Sequence, residues 1–428
     1  MTDYFAARWE HCRNNGINNS SFSWRRIGWP ACNAIGQEVF LLRRFLQIAL
    51  VLCCIAVAFF FEIPRLLDEN QNKLLKKPPY AASARALDLH KQLTIADLHA
   101  DSLLWGRDLL ERGTDGHVDI PRLADGNVAL QVFSLPTKSP HGLNIQSNDD
   151  KSDDIHLLAI VERWPPATWS SLTERALYQA HRLHQFERAS QGGFVVIESS
   201  ADLHRYLERR RSHRRLTAGL LSIEGAHALD GKLENLDVLY RAGYRMMSPS
   251  HFFDNDIGGS AAGVQKIGLT EKGREWVRQM EARHMIVDLA HASPKTIEDV
   301  LAMATRPVVV SHTGVKGTCD NNRNLSDDQI RAVAAKGGLI GIGYWETATC
   351  GTDARAIVKA MRYVSDRVGV AHVALGSDFD GAVTEPFDTT GLVDITDAML
   401  EAGYSEQEIR LIMGENVMGF LEVNLPEK

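Results

Sequence analysis

The sequence predicts an α/β protein: one (β/α)8 barrel of the TIM type, preceded by an N-terminal transmembrane helix. Three observations carry this. Over residues 85–428, apolar β-like runs alternate eight times with helix-like stretches, which implies a parallel sheet and, at eight units, a closed barrel. Residues 45–61 (FLQIALVLCCIAVAFFF) form an uncharged run near the short end of what crosses a hydrocarbon core. The composition, 44% hydrophobic and 24% charged, is that of a globular chain and excludes disorder, collagen and a polytopic membrane protein.

Taken in order, residues 1–44 show no periodic pattern and read as an N-terminal cytoplasmic segment. Arg43 and Arg44 before the apolar run, with Glu62 after it, favour the N-terminus inside, so residues 45–61 read as an uncleaved signal anchor. A cleaved signal peptide is the rival, but 44 residues make a long leading segment and no small-residue cleavage site is evident near Phe61. Residues 62–84, broken by Pro78 and Pro79, read as a polar tether, and residues 85–428 as the barrel. The eight strand candidates are 93–98, 128–135, 219–223, 244–248, 284–289, 306–311, 338–344 and 372–377, with helix-like runs such as 270–283 and 293–304 between them. The excess length lies mainly in 136–215, a polar and helical insertion in which SNDDKSDD and RRRSHRR read as solvated surface.

In such a barrel the active site forms at the C-terminal strand ends. Just past those ends stand His99 and Asp101, Glu224, His251, His291, His312 and Asp378. In His99-x-Asp101 the two side chains point the same way on an extended strand, so imidazole and carboxylate can converge on one cation. His291 and His312 are 21 residues apart, about one βα unit, and so stand on neighbouring strands. Three imidazoles and two carboxylates are too many for one zinc with an open position. They suit a binuclear site with one bridging carboxylate. Singly, each has an ordinary reading: a buried neutral histidine, a helix cap, or a histidine packed on Phe252 and Phe253. Together, several charges in one apolar mouth would each cost several kcal/mol unless paired or metal-bound. A net charge of −7 excludes a typical nucleic-acid binder, and six cysteines without CxxC spacing exclude a zinc finger.

The series DLHAD, SIEGAH, SPSHFFDN, VDLAHAS, VVVSHTG, RNLSDDQI and LGSDFDG resembles the membrane (renal-type) dipeptidase family of zinc metallopeptidases over residues 85–428. The resemblance implies two Zn²⁺ ions per chain, one on His99 and Asp101, the other on His291 and His312, with Glu224 bridging. It implies His251 and Arg323 as substrate-binding residues, the arginine on the substrate carboxylate, and Asp378 as the acid/base. The implied reaction is hydrolysis of dipeptides, including those with C-terminal D-residues and dehydropeptides, through a metal-bridging hydroxide. It further implies a Cys319–Cys350 disulfide; the signal-anchor reading of residues 45–61 places the catalytic domain of a single-pass protein on the periplasmic or extracellular side. Whether the chain forms a homodimer stays open. So do two alternatives: another binuclear amidohydrolase (lactonase or phosphotriesterase-like), and an inactive membrane-tethered scaffold. For Arg323 the alternative is a loop arginine paired to Asp327 or Asp328.

Overall fold

The computed structural model describes the backbone of residues 29–428 and side chains from Gln37 onward. Most of the segment expected over residues 1–44 therefore lies outside the described residues. The chain divides into two units, Met1–Glu62 and Ile63–Lys428. In the first, α1 (Trp29–Val57) runs into a π-helical turn, Ala58–Glu62. Its large apolar side chains from Val39 to Val57 are exposed, the reverse of a core helix. The helical stretch Gln37–Gln71, whose most apolar 18-residue window has mean hydropathy 2.5, is long and apolar enough to cross a membrane.

The second unit is built on nine strands paired in parallel: β1 (Ile95–Ala100), β2 (Val128–Phe133), β3 (Phe194–Val196), β4 (Thr217–Ile223), β5 (Tyr244–Met247), β6 (Ile286–Val287), β7 (Val309–Thr313), β8 (Leu339–Ile342) and β9 (Val373–Leu375). The order is β6-β5-β4-β2-β1-β9-β8-β7, with β3 on β4. The end strands meet at the bridge Asp288–Val309, where Leu289 N–H donates to Val309 O at 2.8 Å. All strands but β3 are buried along their whole length, as expected where helices cover the sheet outside and side chains fill the barrel. All eight strand candidates are strands, within a few residues at each end. The ninth, β3, was not foreseen: three residues after Gly192 and Gly193 are too short a run to show a period.

The outer helices carry the expected start signals and inward stripes. In Glu271–Ala282, Thr270 caps the N-terminus by accepting from Gly273 N–H, and Gly273, Trp276, Val277 and Met280 turn inward at helical spacing. Pro294–Met303 and Asp327–Ala335 start at Ser293 and Ser326, the latter in a full capping box with Gln329.

Two polar segments carry more structure than their composition signals. Residues 62–84, read as a polar tether, are mostly exposed, yet α2 (Ile63–Gln71) buries Asp68, Asn72 is buried after it, and Leu74 bridges to Glu385. The insertion 136–215 contributes β3 and three helices, Asp154–Val161, Leu172–Ala189 and Ser200–Ser212. Within RRRSHRR, Arg210 is buried and donates to Asn127 O at 2.9 Å. These polar side chains find their partners on distant segments, which local composition does not reveal.

One buried carboxylate ties together the strand ends that carry the site. Asp97 on β1 is fully buried and accepts from His99 N–H (3.0 Å), Gln131 Nε2 (3.1 Å), Ser377 N–H (3.1 Å) and Ser377 Oγ (3.0 Å). It thereby links β1, β2 and the segment after β9. Asp97→Ala leaves these donors unsatisfied in the interior; the expected loss is about 3 kcal/mol of stability, read as a lower urea midpoint at unchanged slope.

Candidate metal centre

The strand ends deliver every ionisable side chain expected at the barrel mouth. His99 sits within β1 and Asp101 just after it. Glu224 follows β4, His251 follows β5, His291 follows β6, His312 lies in β7 and Asp378 follows β9. His291 and Asp378 have φ of 61° and 66°, left-handed values that aim their side chains from tight turns.

These groups converge on Glu224. Its Oε1 lies 2.8 Å from His291 Nε2, 3.2 Å from His312 Nε2 and 3.8 Å from His99 Nε2. Its Oε2 lies 3.1 Å from His251 Nε2. His99 Nε2 is also 3.5 Å from Asp101 Oδ2 and 3.8 Å from Asp378 Oδ1. His291 and His312 approach Nε2 to Nε2 at 2.9 Å. Ligand atoms fall within 4.8 Å of one another in three sets: His99, Asp101 and Glu224; Glu224, His251 and His291; and His99, His312 and Asp378. All five residues read from the sequence as metal ligands are thus brought together, and His251 and Asp378 lie within reach of the same atoms.

The residues fit a divalent cation pair on their own chemistry. His99 Nε2, Asp101 Oδ1 and Glu224 Oε1 are buried without a hydrogen-bond partner, so the short contacts to Glu224 Oε1 are close but not hydrogen-bonded. Orphaned polar atoms of this kind are costly in a protein interior and are the natural donors of a metal site. In the bare protein the charges distort one another. Burial opposes a proton on His99, yet Asp101, Glu224 and Asp378 hold it up at about 10. Burial, and then nearby cationic groups, push His251, His291 and His312 well below the usual range, leaving neutral imidazoles with free lone pairs. Burial lifts Glu224 well above an ordinary carboxylate and Asp378 to about 7, with His99 opposing in both. The cluster lacks positive charge, and cations would supply it.

Neighbours hold the ligands in place. Ser311 Oγ is 2.9 Å from His312 Nδ1 and 3.3 Å from His99 Nδ1, so both rings turn Nε2 toward the centre. Arg323 lies in the loop after β7, buried, with Nη2 donating to His312 O at 2.8 Å. Asp327 is taken by Arg367 (3.0 Å) and Asp328 by Arg331 (2.8 Å), so neither pairs with Arg323. The sulfurs of Cys319 and Cys350 are bonded, tying the Arg323 loop to the segment after β8.

The cleft above the cluster is lined by Asp101, Glu224, His251, His291, Arg323 and Asp378, with Leu104, Leu143, Ile145, Ile155, Phe252, Trp345 and Val383 as its apolar wall. Leu143, Ile145 and Ile155 come from the 136–215 insertion, outside the charge clusters read as surface. Trp345 follows β8, where a search for ionisable strand-end residues passes over it; strand-end position alone could have found it.

A family model described as membrane dipeptidase (peptidase family M19) matches residues 83–423. Dipeptidase aclJ of Aspergillus oryzae is 26% identical over 386 residues, covering 85% of this chain and 86% of its own length. Dipeptidase tcpJ of Claviceps purpurea is 28% identical over 318 residues, covering 72% and 69%. A crystal structure of a metallopeptidase from Rhodobacter sphaeroides, liganded with a phosphinate mimic of the dipeptide L-Ala-D-Ala, superposes with TM-score 0.64 at 26% identity, covering 78% of this chain and 99% of that one. The probable dipeptidase PvdM from Pseudomonas aeruginosa shares the fold, with TM-score 0.64 at 19% identity over 79% of this chain and 97% of its own. With the fold, the cluster at the strand ends and this match in hand, the chain belongs to the membrane dipeptidase family, peptidase family M19, and is a metallopeptidase that hydrolyses peptide bonds.

Proposed function

We propose that this enzyme is a zinc-dependent dipeptidase with two Zn²⁺ ions, held by a single membrane anchor over residues 45–61, and that its substrates are free dipeptides. The observation that carries the reading is the convergence of His99, His291 and His312 on one oxygen of Glu224, at 3.8, 2.8 and 3.2 Å. His99 and Asp101 would hold one ion and His291 and His312 the other, with Glu224 between them. When bound, the ions supply Lewis acidity toward the scissile carbonyl and lower the pKa of water to near neutrality. Glu224, not a lysine, is the central group, which favours this reading over the lactonase-type alternative.

The chain's own residues do the rest. Asp378, on the cleft wall 3.8 Å from His99 Nε2, takes a proton from the attacking water and delivers it to the leaving amine. His251, on the same wall, donates a hydrogen bond to the charge developing on the carbonyl oxygen. Arg323, with no carboxylate partner among the described residues, receives the substrate's terminal carboxylate in a two-pronged pair. A guanidinium so near the reacting centre leaves room for one residue beyond the scissile bond, which limits cleavage to short peptides. The apolar wall suits uncharged side chains, and the L-Ala-D-Ala mimic bound by the Rhodobacter relative supports tolerance of a C-terminal D-residue. The Cys319–Cys350 bond and the Arg43–Arg44 pair before the apolar run support a catalytic domain outside the cytoplasm.

Elemental analysis of the purified enzyme is expected to find about two zinc ions per chain, with chelation abolishing dipeptide hydrolysis and zinc restoring it; a metal-free active enzyme would refute the reading. Asp378→Asn is expected to keep its metals while kcat falls roughly 10²–10⁴-fold, as for loss of a general acid–base group. Arg323→Ala is expected to raise KM for free dipeptides roughly 10–100-fold, the scale of a charge-assisted pair, and to leave C-terminally amidated dipeptides equally poor substrates of both forms.

A further inference from the structure

Residues 63–76 make specific contacts with the loop that carries Asp378. Asp68 on α2 is 5% exposed; its Oδ2 pairs with Arg107 Nε at 2.8 Å and its Oδ1 accepts from Asn72 Nδ2 at 2.7 Å. The same guanidinium reaches Asp380, Nη2 to Oδ2, at 2.8 Å. Asp380 is fully buried, two residues beyond Asp378, and is gripped from all sides. Its Oδ2 accepts from Ser102 Oγ (2.6 Å), its Oδ1 from His117 N–H (2.6 Å), and its own N–H donates to His117 Nδ1 (2.8 Å). Asn72 Oδ1 accepts from Ala382 N–H at 3.0 Å. Lys73 O accepts from Glu385 N–H (2.8 Å), and Leu75 N–H donates to Glu385 O (2.9 Å). The segment after the apolar run therefore holds the loop directly at residues 382 and 385 and, through Arg107, at residue 380.

The loop's backbone needs such support. Asp378, Asp380 and Ala382 have φ of 66°, 62° and 58°, a region disfavoured for residues with a Cβ. Three such residues within five persist only where partners over-determine them. The same loop lines the cleft through Asp378, Gly381, Ala382 and Val383.

We propose that Asp68 and Asn72 are positioning residues for Asp378, acting through Arg107–Asp380 and Ala382, so that the chain leaving the apolar segment is part of the active-site wall. The inference rests on Asp378 as the proton carrier. The test uses the full-length enzyme and a free dipeptide, with kcat, KM and bound zinc measured for each variant. Asp68→Ala is expected to lower kcat about tenfold or more at unchanged zinc content, with KM within about threefold. Asp68→Asn, which keeps one acceptor oxygen for Arg107 but turns an NH2 donor toward Asn72, is expected to recover part of that loss, and Glu69→Ala, half-buried on the same helix and paired with Arg65, to match the parent. Should Asp68→Ala not fold, Asn72→Ala, a neutral truncation, carries the test with an expected loss of about threefold in kcat. In an Asp378→Asn background, Asp68→Ala should cost nothing further, because two residues acting through one step are not additive. Parent-like turnover in Asp68→Ala and Asn72→Ala, with Asp378→Asn inactive, overturns this inference alone. Full activity in Asp378→Asn overturns the role of Asp378, and this inference with it.

Discussion

Carboxylates and imidazoles packed into a barrel mouth with little water set the terms for everything around them. Glu224 is 3% exposed and Asp101 3%, and both face His99, which is fully buried. Such a cluster is costly unless its charges balance, and one imidazolium cannot balance three carboxylates at this depth. A pair of cations can. The same deficit leaves His99 Nε2, Asp101 Oδ1 and Glu224 Oε1 buried without hydrogen-bond partners.

That requirement reaches outward through the scaffold. Ligands on separate strands meet only if the strand ends hold their register, and Asp97 secures this by accepting from both β1 and the segment after β9. Ser311 orients two of the rings. The Cys319–Cys350 bond draws the Arg323 loop toward Trp345, whose ring lies 5.8 Å from the guanidinium. Asp380 does the same for the loop of Asp378. Much of the polar burial in this enzyme thus keeps a few side chains from drifting apart.

The central barrel was legible because parallel strands covered on both faces are apolar throughout, and such runs stand out between amphipathic helices. The site was legible because a barrel gathers its strand ends in one place, so position along the chain stands in for position in space. Three features were not. β3 is too short to show a period. Arg210 and Asp68 are buried despite polar neighbours in sequence, because their partners, Asn127 and Arg107, lie far along the chain. The helical insertion sends Leu143, Ile145 and Ile155 to a wall of the cleft, a role its charge clusters do not signal.

By itself the sequence determined the barrel, the order in which its ends present ligands, and a set of side chains too highly charged to be buried without metal. Those are properties of local pattern and of residue chemistry, which survive in one dimension. Tertiary structure alone decided that three imidazoles share one oxygen of Glu224, that Arg323 is free of Asp327 and Asp328, and that the segment after the apolar run grips the loop of Asp378. Each of these is a pairing between distant residues, and the choice among polar partners is made by packing.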